Sequence, residues 1–182
     1  MKNILIIIIC CLVLTSCQLV GFAVDPQSNT PVKDDFSYYQ EGFTLNKTRS
    51  ALRTDGIYLR IEYAVVDRYP TKDTLNWVYR FFETGQVYRN RYVRKKYDHD
   101  NLKNVARAYY KLKGDNISIE SFATGRKEFW YEKGIINGDT LRLTQRKGEG
   151  NKKRGYKAPK EIDEIYIFKP IAELKNSVQP NW

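Results

Sequence analysis

Few residues in this chain could do covalent chemistry. There is one histidine, His99, in the run Tyr97-Asp98-His99-Asp100, and the three cysteines, Cys10, Cys11 and Cys17, all fall near the start. A hydrolytic triad would need His99 as its base. Aspartates that flank it in sequence cannot orient the imidazole as a triad requires, so His99 reads as an exposed loop residue. The remaining option is a carboxylate pair. Glu128 and Glu132 are four positions apart on one expected strand, roughly 13 Å. Glycosidase carboxyls stand only about 5 to 9.5 Å apart. With no glycine-rich phosphate loop, the expectation is a non-enzymatic protein with no catalytic residue, no metal site and no cofactor. The chemistry left is recognition by side chains, chiefly the 14 tyrosines and 3 tryptophans.

Those aromatics sit on short alternating segments. Trp77, Tyr79 and Phe81 alternate with Val78, Arg80 and Phe82, and Ile57, Leu59, Ile61 and Tyr63 alternate with Tyr58, Arg60 and Glu62. Turn pairs recur at Thr84-Gly85, Gly114-Asp115, Thr124-Gly125 and Gly138-Asp139, each between β-branched and aromatic runs, which is the hairpin signature. The pattern predicts eight strands, at about 57–65, 76–83, 86–94, 107–113, 116–123, 126–136, 140–146 and 163–169. Residues 69–76 and 95–105 form longer connections, the second with a helical turn, and a basic loop over 147–160 joins the last two strands. Eight consecutive antiparallel strands either close into a small barrel or curl into a meander covered on one face; closure hides both edges and is the expected outcome. The fold class is therefore all-β, an eight-stranded antiparallel meander closing as a barrel, with a short C-terminal tail or helix through Ile171 and Leu174.

This strand count, the meander order and the Gly56-Ile57-Tyr58 opening resemble the lipocalin-like barrels, small bacterial lipoproteins of that shape included. Lipocalins usually carry Gly-x-Trp at that point, and here Tyr58 stands where the tryptophan would be. The resemblance implies an interior wide enough for side chains or for one small ligand.

Two-residue turns set the faces. With Thr84-Gly85 as such a turn, Phe81 faces Tyr88 and Tyr79 faces Asn90, so Trp77, Tyr79, Phe81, Tyr88, Asn90 and Tyr92 share the inner face, opposite Arg80, Arg89 and Arg91. With Gly114-Asp115, Ala108, Tyr110, Leu112, Ile117, Ile119 and Ser121 share it. With Thr124-Gly125, Ile119 pairs with Trp130 and Ile117 with Glu132; with Gly138-Asp139, Ile136 pairs with Leu141 and Glu132 with Gln145. The expected ligand-binding set is Trp77, Tyr79, Tyr88, Asn90, Tyr110, Trp130, Glu132 and Gln145, with Glu128 on the same face. A carboxylate inside a barrel costs several kcal/mol unless it is paired or wet. The set therefore reads either as a polar, aromatic cavity at an open end or as a solvated rim.

The N-terminus carries a separate signal. Lys2 precedes an apolar run of 11 residues, Ile4 to Leu14. That is too short to cross a bilayer, which takes about 20, and it suits the h-region of a signal peptide. The run ends in Leu14-Thr15-Ser16-Cys17, which resembles the bacterial lipobox. The resemblance implies diacylglycerol on the Cys17 sulfur and cleavage after Ser16. Attachment by several acyl chains is effectively permanent. Cys10 and Cys11 leave with the leader, so no thiol remains free and no disulfide framework is expected. In such lipoproteins Asp after the cysteine retains the protein in the inner membrane. Gln18 implies the outer membrane, and the non-acidic Gln18-Leu19-Val20-Gly21 implies its periplasmic face.

The chain thus divides into a signal peptide (1–16), a lipidated N-terminus, tether and lead-in (17–50), the barrel (51–170) and a C-terminal tail (171–182). Loss of Lys2 takes 31 basic residues to 30 against 21 acidic, a formal charge of +9. That surplus favours anionic lipid or glycan as a partner, and an exported protein has no call for nucleic acid. Two functions remain open. One is a membrane-anchored, non-enzymatic module that binds a small amphipathic or lipid-like ligand inside the barrel. The other is a structural or interaction protein of the envelope, docking a protein or anionic glycan through its basic outer face, with Phe82, Phe129, Tyr131 and Ile135 exposed there.

Overall fold

The computed structural model describes residues 31–64, 73–93, 106–123, 127–149, 158–176, 179–180 and 182. The leader, Cys17, His99, the connections over 65–72 and 94–105, the Thr124-Gly125 pair and residues 150–157 of the basic loop lie outside them.

Eight antiparallel strands close a barrel in sequence order: β1 (Gly56–Ala64), β2 (Asp73–Phe81), β3 (Gln86–Val93), β4 (Ala106–Lys113), β5 (Asn116–Ala123), β6 (Glu128–Asn137), β7 (Thr140–Gly148) and β8 (Lys160–Pro170). The ring closes where Gly56 meets Pro170 and Tyr58 meets Phe168. This is the expected lipocalin-like architecture, with every strand paired to both of its neighbours so that the sheet closes. The β2 strand starts at Asp73, three residues earlier than the sequence pattern implied. Gly114 and Gly138 each take a positive φ, at +60° and +55°. The two Gly-Asp turns are therefore the same device used twice, with glycine at the first central position.

The two ends of the barrel differ. All the short hairpins, at 82–86, 114–115 and 138–139, lie at the end where β1 starts. The strand ends that the longer connections join lie at the other end. At the hairpin end the interior is filled by Phe81, Val87, Ala108, Tyr110, Ile117, Ile136, Leu141 and Phe168, and the lead-in adds Leu45 and Leu52 to that core. Aromatic edges meet ring faces here, Phe81 on Tyr110 at 5.4 Å and Tyr58 on Phe168 at 5.2 Å, the arrangement that ring quadrupoles favour.

Two chain segments clothe the barrel from outside. Phe36 from the lead-in is buried between Tyr109 and Phe129. Its neighbours are latched to the buried outer-face carboxylate of Glu120, which accepts Tyr38 N–H at 2.7 Å and Ser37 Oγ–H at 3.1 Å. The expected C-terminal helical piece exists as a 3-10 helix over Ala172–Asn176. It drops Leu174 onto Ile57, Val78, Phe82 and Tyr88. The outer aromatics expected to be free for a partner are therefore corrected: Phe82 is buried, Phe129 packs under Phe36, and Tyr131 lies against Tyr38. Ile135 alone of that set is exposed. An aromatic stripe on the outside of a small barrel is cheapest to hide under the chain's own ends, which are already tethered to it.

Candidate functional site

The barrel interior changes character halfway along. Toward the end with the longer connections, the inward positions of β1, β6 and β8 carry Arg60 and Glu62, Glu132, and Glu164. Charges at inward positions demand partners, because isolated burial of each costs several kcal/mol. Two departures from simple alternation supply them.

The first is the β2–β3 turn. Gly85 N–H donates to Phe82 O at 3.1 Å and Phe82 N–H to Gln86 O at 3.0 Å, with Gly85 at φ +91°. This is a three-residue loop closed by a left-handed glycine, not a two-residue turn. The pairing is Phe81 with Val87 and Tyr79 with Arg89. One extra loop residue reverses every side chain that follows. Tyr88 and Asn90, expected inside, therefore face outward, where Asn90 Nδ2–H donates to Tyr88 OH at 2.9 Å. Arg89, expected outside, points in. The turn is fixed by its surroundings: Leu45 N–H donates to Glu83 O at 2.8 Å, Tyr110 N–H donates to Gly85 O at 3.0 Å, and Phe43 packs under Gly85.

The second departure is a bulge in β7. Ile136 pairs with Leu141 as expected, but the register shifts near Thr144, so that Glu132 faces Arg146 and Lys133 faces Gln145. Gln145, expected inside, is exposed on the outer face. Gly134 lies opposite the bulge, and a Cβ there would come within 2.3 Å of Arg142 O. On β5–β6 the loop is two residues longer than expected: Ile119 pairs with Glu132 and Ser121 with Trp130. A slip of two keeps the face, so Trp130 and Glu132 stay inside.

Arg89 and Arg146 thus converge on Glu132, whose side chain is fully buried. Arg146 Nε–H donates to Glu132 Oε1 at 2.6 Å, and Tyr79 OH donates to Oε2 at 2.7 Å. Arg89 stands 3.6 Å from Oε1. The Arg146 fork also grips Glu164 with both Nη groups, at 2.9 and 2.8 Å. Glu164 in turn accepts Tyr166 OH at 2.8 Å and pairs with Arg60 at 3.1 Å. Arg60 bonds Glu62, which accepts Trp77 Nε1–H at 3.0 Å. The ladder runs from the buried floor to the rim, three arginines against three glutamates, with no net charge.

The field of this ladder shows in its titrations. Burial alone would raise the Glu164 carboxyl, but the Arg146 and Tyr166 hydrogen bonds and the nearby Arg60 outweigh it and hold it below the ordinary carboxylate value. Burial, with the Glu132 charge adding to it, drives the Tyr79 phenol far above its ordinary value against the pull of Arg89, so Tyr79 stays a proton donor. Burial works against the Arg89 cation, and Tyr79 and Glu132 more than restore it.

Beside the ladder lies a cavity of about 370 Å³, lined by Trp77, Arg89, Ala106, Ser121, Trp130 and Arg146 among others. Arg89 lies beside two rings, its guanidinium carbon 5.8 Å from the Trp77 ring and 5.6 Å from that of Tyr79. Among the expected ligand-binding residues, Trp77 and Trp130 line this cavity, and Tyr79 and Glu132 lie behind its Arg89 and Arg146 side chains as their partners. Tyr110 is inside but belongs to the packed half, where its OH donates to Phe82 O at 2.9 Å. The residues missed were Arg60, Glu62, Arg89, Arg146 and Glu164. For the β1 and β8 members a signal existed: charges of opposite sign share inward parity with Tyr58 and Tyr166. For Arg89 and Arg146 none did, because their faces depend on the long turn and the bulge. Among the described residues no group of three His, Cys, Asp or Glu side chains is placed to hold a metal ion, and no helix is long and apolar enough to cross a membrane. Comparison with known proteins finds no matching family model, no matching curated protein and no matching solved structure.

Proposed function

We propose that this protein is a lipid-anchored, non-enzymatic binding module of the cell envelope, which holds one small amphipathic ligand in the open end of its barrel. The observation that carries the reading is the pairing of a filled half with a hollow one. The barrel packs its hairpin end with aromatic and aliphatic side chains, so its apolar core is complete without filling the other end. That other end keeps a cavity of about 370 Å³ between Trp77 and Trp130, within the range of small-molecule sites, about 300 to 1,000 Å³. Arginines whose charges are already balanced supply polarity there.

The anchor part of the proposal rests on the short apolar run and Leu14-Thr15-Ser16-Cys17. Delivery to the outer membrane, facing the periplasm, follows from Gln18 in the same pattern. Metabolic labelling with a palmitate analogue tests the anchor: label lost in Cys17→Ser supports it, and label retained overturns it. Native mass spectrometry of the protein from a mild membrane extract tests the binding role. A retained mass released by Trp130→Ala supports it. A protein that is ligand-free and also takes up no amphipathic probe removes it. The alternative of docking through a basic, aromatic outer face is the weaker one, because Arg89 turns inward and Phe82, Phe129 and Tyr131 are covered by the chain's own segments.

A further inference from the structure

We infer that the ligand is a monoanion whose acidic group meets Arg89, while its apolar body lies between Trp77 and Trp130. The inference rests on the binding role proposed above and names the class of ligand.

Three observations carry it. The two arginines of the cavity are not equivalent. Arg146 meets acid through all three of its nitrogens, with its Nε on Glu132 and both Nη groups on Glu164. Arg89 meets a single acid among the described residues, at 3.6 Å, and otherwise stands beside the Trp77 and Tyr79 rings and the Arg146 cation. A guanidinium has five donors in a planar fork suited to a two-oxygen acid, and a ring face satisfies none of them as an acceptor oxygen does. Arg89 is thus the under-satisfied cation, and it lines the cavity. Next, the charge balance selects the valence. The ladder is neutral before a ligand enters, so one negative charge leaves Arg89 shared between Glu132 and the guest. A dianion such as a phosphate monoester would add repulsion from Glu132 and Glu164, and among the described residues the other two arginines of the ladder are already paired with its glutamates. Finally, the remaining lining is apolar or small, with Trp77 and Trp130 as broad ring surfaces and Ala106 at the start of β4 opposite Arg89, which accommodates an aryl or single-chain body.

Two fluorescent probes separate the ideas: anilinonaphthalene sulfonate, a monoanion, and N-phenylnaphthylamine, the same ring system without the acid. The neutral probe should bind the wild type and be weakened by Trp130→Ala. The anionic probe should bind more tightly, lose about 10-fold or more in affinity in Arg89→Gln, as expected for a lost bond between charged groups, and recover part of it in Arg89→Lys. The neutral probe, which makes no charged contact there, should lose clearly less than the anionic probe in Arg89→Gln, so that the ratio of the two affinities falls. Glu132 keeps Arg146 in these variants, and circular dichroism with a melting curve checks their fold. Should they fail to fold, displacement of the neutral probe from the wild type decides. Decanoate should compete at about 10-fold lower concentration than decanol, although the alcohol is the more hydrophobic. Equal affinity of both probes with no Arg89 effect, or decanol displacing better than decanoate, overturns the monoanion inference and leaves the binding role intact. Binding of neither probe overturns the binding role itself.

Discussion

Arg146 and Glu132 face each other across the β6–β7 ladder, Nε to Oε1 at 2.6 Å, only because a bulge beside Gly134 turns Arg146 into the barrel. This pair joins two halves of one network: Tyr79 and Arg89 on one side, Glu164, Arg60 and Glu62 on the other.

Removing Arg146 should be costly out of proportion to its own exposure. Arg146→Ala would leave Glu132 with Tyr79 and a distant Arg89 and would strip Glu164 of its bidentate partner. Breaking a buried pair costs about 3–5 kcal/mol, and the half-wet Glu164 arm places the expected loss near 3 kcal/mol in urea unfolding. Adding Glu132→Gln should return part of it. A double variant no more stable than Arg146→Ala would show that the two residues are not coupled.

Acid should act through Glu164. Its carboxyl is held below the ordinary value of 4.5, so the folded state binds its proton less readily than the unfolded chain. The stability this supplies is complete above that ordinary value and is lost as pH falls through the lowered one. Melting temperature should therefore drop from about pH 4.5 downward, and Glu164→Gln should flatten that part of the profile while lowering the plateau at neutral pH. An unchanged acid limb in the variant would contradict the assignment.

Gly134 should tolerate no side chain. A Cβ there would lie 2.3 Å from Arg142 O, a backbone atom that cannot swing away, and 3.0 Å from Leu143 Cδ2. Gly134→Ala should cost about 2 kcal/mol or more, by analogy with overpacked cores, and should disturb the bulge that aims Arg146. Wild-type stability in this variant, measured by denaturant midpoint, would refute the tight approach.

The lead-in should behave as part of the fold. Phe36 is buried between Tyr109 and Phe129, and truncating a buried phenylalanine costs about 3–5 kcal/mol. Phe36→Ala should fall near the lower figure, since Tyr38 and Tyr39 remain to cover the stripe. A loss under about 1 kcal/mol would mean that the segment is loosely held.

Substitutions on the outer face provide the control for binding. Asn90→Ala and Gln145→Ala should leave probe affinity within about twofold, whereas Trp77→Ala should weaken it severalfold through lost ring contact. A larger effect from Asn90 or Gln145 than from Trp77 would place the site elsewhere.

Much of this architecture was legible in the amino-acid order alone. Alternating aromatic and β-branched runs gave the eight strands. Gly114-Asp115 and Gly138-Asp139 gave two hairpins with their true pairing, so Ala108, Tyr110, Ile117, Ile119 and Ile136 fell on the correct face. Trp77, Tyr79, Trp130 and Glu132 also read as interior, the last two although the β5–β6 loop is two residues longer than its turn pair implies, a difference that parity forgives.

The acid–base ladder was not legible, and the reason is geometric. Which face a strand side chain takes depends on the parity of residues before it, and parity changes with a single extra residue in a turn or bulge. Whether Glu83 belongs to β2 or to the turn is decided by Leu45 and Phe43, contacts from 40 residues away in the chain. Whether β7 bulges near Thr144 is decided by Gly134 on its neighbour and by β8 beyond it. Local sequence determined that Glu132 would be inside; only the closed barrel decided that Arg89 and Arg146 would be there to meet it.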